Sequence, residues 1–132
     1  MSEENVEIVR RLYADPRGLT AAVNEMVAPE AEFDFTAVYP DKPILRGVDE
    51  ARRFRDTGPW GGSPIHFEPE RFFNVDDERV LVFVRVTATG RGSDAPVALE
   101  AAHECTIRDG LLVRIKVYGD RAQALEATGV SE

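Results

Sequence analysis

Apolar positions recur at helical spacing at the two ends of the chain and alternate strictly through most of its second half. Over 2–14, Val6, Val9, Leu12 and Tyr13 mark one helix face, with Glu3 and Glu4 at the end where the helix dipole favours acids. Asp15-Pro16-Arg17-Gly18 ends that helix. A second, short helix is predicted over 19–27, with Leu19, Val23, Met26 and Val27 on one side and Pro29 as its stop. Residues 31–38 alternate like a half-buried strand, and 39–47, with two prolines, reads as an excursion over an opening. A third helix over 48–57 turns Val48, Ala51 and Phe54 inward, and 58–64 is a Gly/Pro loop carrying Trp60. Strands follow at 65–75, 79–90, 97–108 and 111–118, with Asp109-Gly110 as a two-residue hairpin signal. Asp120 caps a last helix that runs through Thr128 and ends at Gly129.

This order predicts an α+β layer structure in which helices cover the apolar face of an antiparallel sheet. In 97–107 the odd positions are Val97, Leu99, Ala101, His103, Cys105 and Ile107, whereas Glu100, Glu104 and Thr106 fall on the other face, within reach of Arg85, Arg114 and Lys116. A strongly curved sheet closed at one end by helices leaves a cone-shaped cavity, the natural seat for a ligand.

Length and charge narrow the possibilities. The 132 residues make one domain, 43% hydrophobic and 30% charged, a globular balance. Cys105 alone excludes an internal disulfide or a multi-cysteine zinc site. The acidic start is no secretory signal, and the longest apolar run, Val80 to Val84, suits a buried strand rather than a membrane span. A cytoplasmic protein is expected. The net charge of −8, with no basic stripe, argues against nucleic acid as a partner.

His103 is the sharpest candidate for chemistry, because it interrupts the apolar face in mid-sheet and an imidazole moves protons near neutral pH. Asp34 lies between Phe33 and Phe35. If both rings face inward, alternation turns Asp34 outward, whereas a bulge reverses this and offers a general base with a raised pKa. Tyr13, Phe35, Tyr39, Trp60 and Tyr118 are expected to line or rim the pocket, supplying flat apolar surface, with a polar tip on Tyr and Trp. Cys105 on the apolar face is expected to stay protonated and inert. The two histidines, His66 and His103, have no metal-ligand spacing, so no metal or cofactor is expected.

Several stretches together resemble the SnoaL-like branch of the NTF2-like superfamily. They are Glu4-Asn5-Val6 to Leu12-Tyr13, Ala28-Pro29-Glu30-Ala31-Glu32-Phe33, Arg46-Gly47-Val48-Asp49-Glu50, the run from Ala102 to Arg114, and the close from Tyr118 to Gly129. The resemblance implies a cone-shaped barrel with the N-terminal helices on the concave face of the sheet, a small-molecule pocket and a homodimer. Members include polyketide cyclases, ketosteroid isomerases, dehydratases and epoxide hydrolases. The positions that carry the isomerase residues fall on Leu12, Phe35 and His103, and no Arg-x-Asp of the epoxide-hydrolase kind occurs in the chain. Two readings follow. One is a cofactor-independent cyclase, isomerase or dehydratase that acts on an apolar carbonyl compound through His103 and Asp34. The other is a non-catalytic binding or dimerisation module. Two proton-active groups converging in the cavity separate the first from the second.

Overall fold

The Asp109-Gly110 turn joins the last two strands of the sheet. In the computed structural model, which describes residues 2–14, 26–38, 41, 44–57, 65–89 and 96–131, both turn residues adopt positive φ, 52° and 80°. That is the backbone a two-residue hairpin needs to match the twist of its strands. The elements are α1 (Ser2–Ala14), β1 (Val27–Asp34), β2 (Leu45–Arg46), α2 (Val48–Thr57), β3 (Ile65–Asn74), β4 (Arg79–Thr89), β5 (Pro96–Arg108), β6 (Leu111–Tyr118) and α3 (Arg121–Thr128). The strands form one curved sheet in the order β2-β1-β6-β5-β4-β3. β1 runs parallel to β6 and every other neighbouring pair is antiparallel. Register shifts at Pro69/Arg71 in β3, Thr106/Ile107 in β5 and Val27/Glu32 in β1 are the irregularities that let such a sheet bend.

The expected helices over 2–14, 48–57 and 121–128 and the four C-terminal strands are present. The N-terminal strand differs from expectation in running from Val27 to Asp34, not over 31–38, so Pro29 lies within it, and Leu45–Arg46 of the expected excursion over 39–47 pairs with it as β2. Pro29 falls in the interval where the β1–β6 register shifts, a place where the ladder makes no demand on its missing N–H. The rest of the helix expected over 19–27 lies outside the described residues.

Each face of the sheet has its own core. Toward α1 and α2, Val9, Leu12, Tyr13, Phe33, Val48 and Ala51 pack on Val80, Val82, Val84, Cys105, Ile107, Leu112 and Ile115. On the opposite face Phe73, Leu81, Phe83, Ala102 and Tyr118 are covered by Ala124 of α3. Asn5 Nδ2 donates to the Asp77 carbonyl at 2.7 Å and ties α1 to the β3–β4 turn. Asp120 caps α3 by accepting from the Ala122 and Gln123 amides, and Gly129 closes it in the left-handed region. None of the described helices is long and apolar enough to cross a membrane.

Candidate functional site

The strands present an almost uniformly aliphatic and aromatic wall to α1 and α2. Val80, Val82 and Val84 of β4, Ile115 of β6 and Phe33 of β1 belong to it, and His103 stands among them. The ring is 2% exposed and packs between Tyr13 and Phe67, with ring centroids 5.8 and 5.7 Å away. Its Nδ1 is hydrogen-bonded to the hydroxyl of Tyr13, which the last turn of α1 brings down onto the sheet. The Cys105 thiol, two residues along β5 on the same face, is near enough to the Tyr13 hydroxyl for each to perturb the other. A bonded tyrosine and histidine, with a cysteine beside them, therefore form one buried polar group inside an apolar layer.

Burial fixes the charge state of all three. With no carboxylate partner among the described residues, desolvation lowers the His103 imidazole from its ordinary 6.5 to about 4, so it is neutral at physiological pH. Desolvation pushes the Tyr13 hydroxyl well above its ordinary 10, and the neighbouring thiol adds to this. The Cys105 thiol is itself pushed up to about 12 by burial, and so remains a protonated thiol. What this arrangement offers is hydrogen bonding and proton exchange between neutral groups.

Asp34 is elsewhere. Phe33 pairs with Ile115 and faces the helices, so Asp34, opposite Lys116, projects from the other side of the sheet. There it accepts from the Thr36 amide at 2.9 Å and hydroxyl at 2.6 Å, and from Arg114 Nη2 at 2.8 Å. Burial alone pushes its carboxyl up, but the Thr36 bonds and the Arg114 and Lys116 charges outweigh it and hold the pKa below the ordinary 3.8. The structure thus follows strict alternation here. It does not bring Asp34 to His103, and the raised pKa expected of a base is replaced by a lowered one.

Tyr118 is also on the far side, opposite Ala102, with its hydroxyl donating to Glu104 at 3.1 Å rather than reaching the face that carries His103. Burial and the Glu104 carboxylate push that hydroxyl up to about 12. Phe35 packs against the α1/α2-side core and stacks on Phe54 of α2 at 4.9 Å, toward the expected pocket. Tyr39 and Trp60 lie outside the described residues. A groove of about 280 Å³ lined by Glu3, Val6, Glu7, Arg10 and Asn74 contains none of the predicted site residues. Among the described residues no cluster of three or more His, Cys, Asp or Glu is placed to hold a metal ion.

The contact that sequence reasoning missed is the bond between Tyr13 and His103, 90 positions apart. Both residues carried a signal, the tyrosine ending the α1 stripe and the histidine breaking the β5 one. Their meeting depends on how α1 docks, and no local pattern encodes that.

Comparison with known proteins agrees with this architecture. A putative SnoaL-like polyketide cyclase from Jannaschia sp. CCS1 superposes with a TM-score of 0.71 at 19% identity, covering 99% of this chain and 95% of that one. The epoxide hydrolase/cyclase-like enzyme SalBIII, which has a role in pyran ring formation in the polyether salinomycin, gives a TM-score of 0.72 at 18% identity over 91% and 93% of the two chains. TerC, co-crystallised with polyporic acid, gives 0.69 at 21% identity over 96% and 99%. At these identities the likeness shows the fold alone. No curated protein matches the sequence. The SnoaL-like domain family matches residues 8–115, which include Tyr13 and the strand that carries His103, and the chain belongs to that family.

Proposed function

We propose that the protein takes up a small, apolar, carbonyl-bearing molecule between its N-terminal helices and the sheet, and that His103 meets the carbonyl oxygen as a proton-transfer or hydrogen-bonding group. The observation that carries this reading is the Tyr13–His103 pair, two proton-active groups in hydrogen-bond contact on an otherwise apolar wall. A neutral imidazole in such surroundings suits an uncharged substrate, because apolar walls favour the ligand's hydrocarbon and a buried donor rewards one well-placed oxygen. The chemistry is of the cyclase, isomerase or dehydratase type and needs no cofactor. Asp34, held by Arg114 and Thr36 on the far face, takes no part in it. Family membership supports the reading, as do a small molecule bound to one structural neighbour and cyclase-type enzymes among the others. The protein is proposed to act as a cytoplasmic homodimer.

The test is a screen of aryl ketones and quinones against wild type and His103→Ala, with circular dichroism to show that the variant is folded. Loss of binding in a folded variant supports the site, and unchanged binding retires His103. Deuterium exchange at the α-carbon of a bound ketone, followed by NMR, then separates an enzyme from the alternative, a non-catalytic binding module that holds its ligand without exchange.

A further inference from the structure

The Tyr13 hydroxyl has one proton and two neighbours that can use it, His103 Nδ1 and the Cys105 sulfur. Two arrangements satisfy all three groups. In one, the thiol donates to the tyrosine oxygen, the hydroxyl donates to Nδ1, and the imidazole proton sits on Nε2. In the other, Nδ1–H donates to the tyrosine oxygen, the hydroxyl donates to sulfur, and Nε2 is a bare lone pair. Sulfur is a weak acceptor and the imidazole nitrogen a strong one, so the second arrangement gives the best donor to the poorest acceptor. The first runs one way, S–H to O–H to N, and each bond polarises the next in a site closed to bulk water.

We propose that Tyr13 is the positioning residue of the site: its hydroxyl donates to Nδ1 and holds His103 as the Nε2–H tautomer, so that the group offered to a ligand is a neutral N–H donor. Nδ1 is taken up by the tyrosine, so Nε2–H is the ring donor that an incoming acceptor would meet. The inference deepens the function proposed above and rests on it only for what Nε2 meets. The tautomer itself is a property of the ligand-free protein. A site built this way favours carbonyl, quinone or amide oxygens over carboxylates, whose charge it has no cation to meet among the described residues of this wall.

Long-range proton–nitrogen correlation spectra of protein labelled with 15N-histidine decide it. His66, exposed on β3, serves as the internal contrast and is assigned with a His66→Gln variant. At pH 7 His103 is expected to show one protonated nitrogen, Nε2, and one unprotonated, Nδ1. Tyr13→Phe removes the donor and is expected to shift His103 toward a tautomer mixture, while Cys105→Ser, which keeps a donor to the tyrosine oxygen, preserves the wild-type pattern. A wild-type spectrum with the proton on Nδ1, or an imidazolium, overturns the proposal, as does an unchanged pattern in Tyr13→Phe. The wild-type spectrum decides the tautomer even if Tyr13→Phe does not fold. Failure of the ligand screen with the expected tautomer present would count against the proposed function and leave this inference standing.

Discussion

Buried and uncharged, His103 makes the stability of the protein depend on pH in a calculable way. Its pKa is about 4 in the folded protein, against an ordinary 6.5 in the unfolded chain. Between these values the unfolded state binds a proton that the folded state refuses, so stability falls as pH falls. The contribution is fully present above pH 6.5 and is lost progressively toward pH 4. The two binding curves give a loss of about 2 kcal/mol by pH 5 and about 3 kcal/mol by pH 4. Urea unfolding at a series of pH values from 7.5 to 5 measures it, with His103→Gln as the reference. Both proteins share every carboxylate and His66, so the difference between their pH slopes isolates the buried imidazole. Wild type should lose about 2 kcal/mol more than the variant over that range. Equal slopes would show that the ring takes up a proton without strain, and would refute the argument that desolvation governs this site.

Other consequences follow from the same structure. Asp34→Ala removes the nearer carboxylate of Arg114, leaving it Glu32 at 3.7 Å, and breaks the Thr36 turn, and should cost about 1–3 kcal/mol in denaturant unfolding while leaving the His103 nitrogen spectrum unchanged. The lowered Asp34 pKa adds stability that is present above the ordinary 3.8 and disappears below it, so wild type should lose stability more steeply than Asp34→Asn when titrated from pH 4 downward. Leu12→Ala empties a fully buried position next to Tyr13; a loss of about 2–5 kcal/mol is expected, with broadening of the His103 signals as α1 loosens. At the other end, Asp120→Ala should cost about 1 kcal/mol through the lost cap. Gly129→Ala should cost about the same, because its φ of 75° suits glycine; thermal melts of each variant check both.

The strands and the last helix were legible because each announces itself within a few residues: strict alternation, an Asp-Gly turn, an Asp cap, a closing glycine. His103 was placed correctly toward the helices by the alternation of β5 alone. Tyr118 shows where such reasoning fails. A hairpin counted regularly back from Asp109-Gly110 would put it on the face of His103. The shift between Thr106 and Ile107 advances the pairing by one residue and sets Tyr118 opposite Ala102 instead. The polar Arg114 and Lys116 already fixed the even-numbered positions of β6 to that side, a clue available in the sequence. Pro29 misled for a different reason: it reads as a stop, yet a strand tolerates it where pairing is interrupted.

The side-by-side placement of β1 and β6 joins the earliest strand of the chain to the last. During synthesis β1 emerges early, whereas its partner β6 follows only after β3, β4 and β5. Until then Phe33 lacks Ile115, its neighbour across the β1–β6 pair, although α1 can already meet β3 and β4. Closure is therefore a late event that spans most of the chain, and contacts of such long range fold slowly. The apolar layer around the imidazole is completed only when β1 and β6 meet.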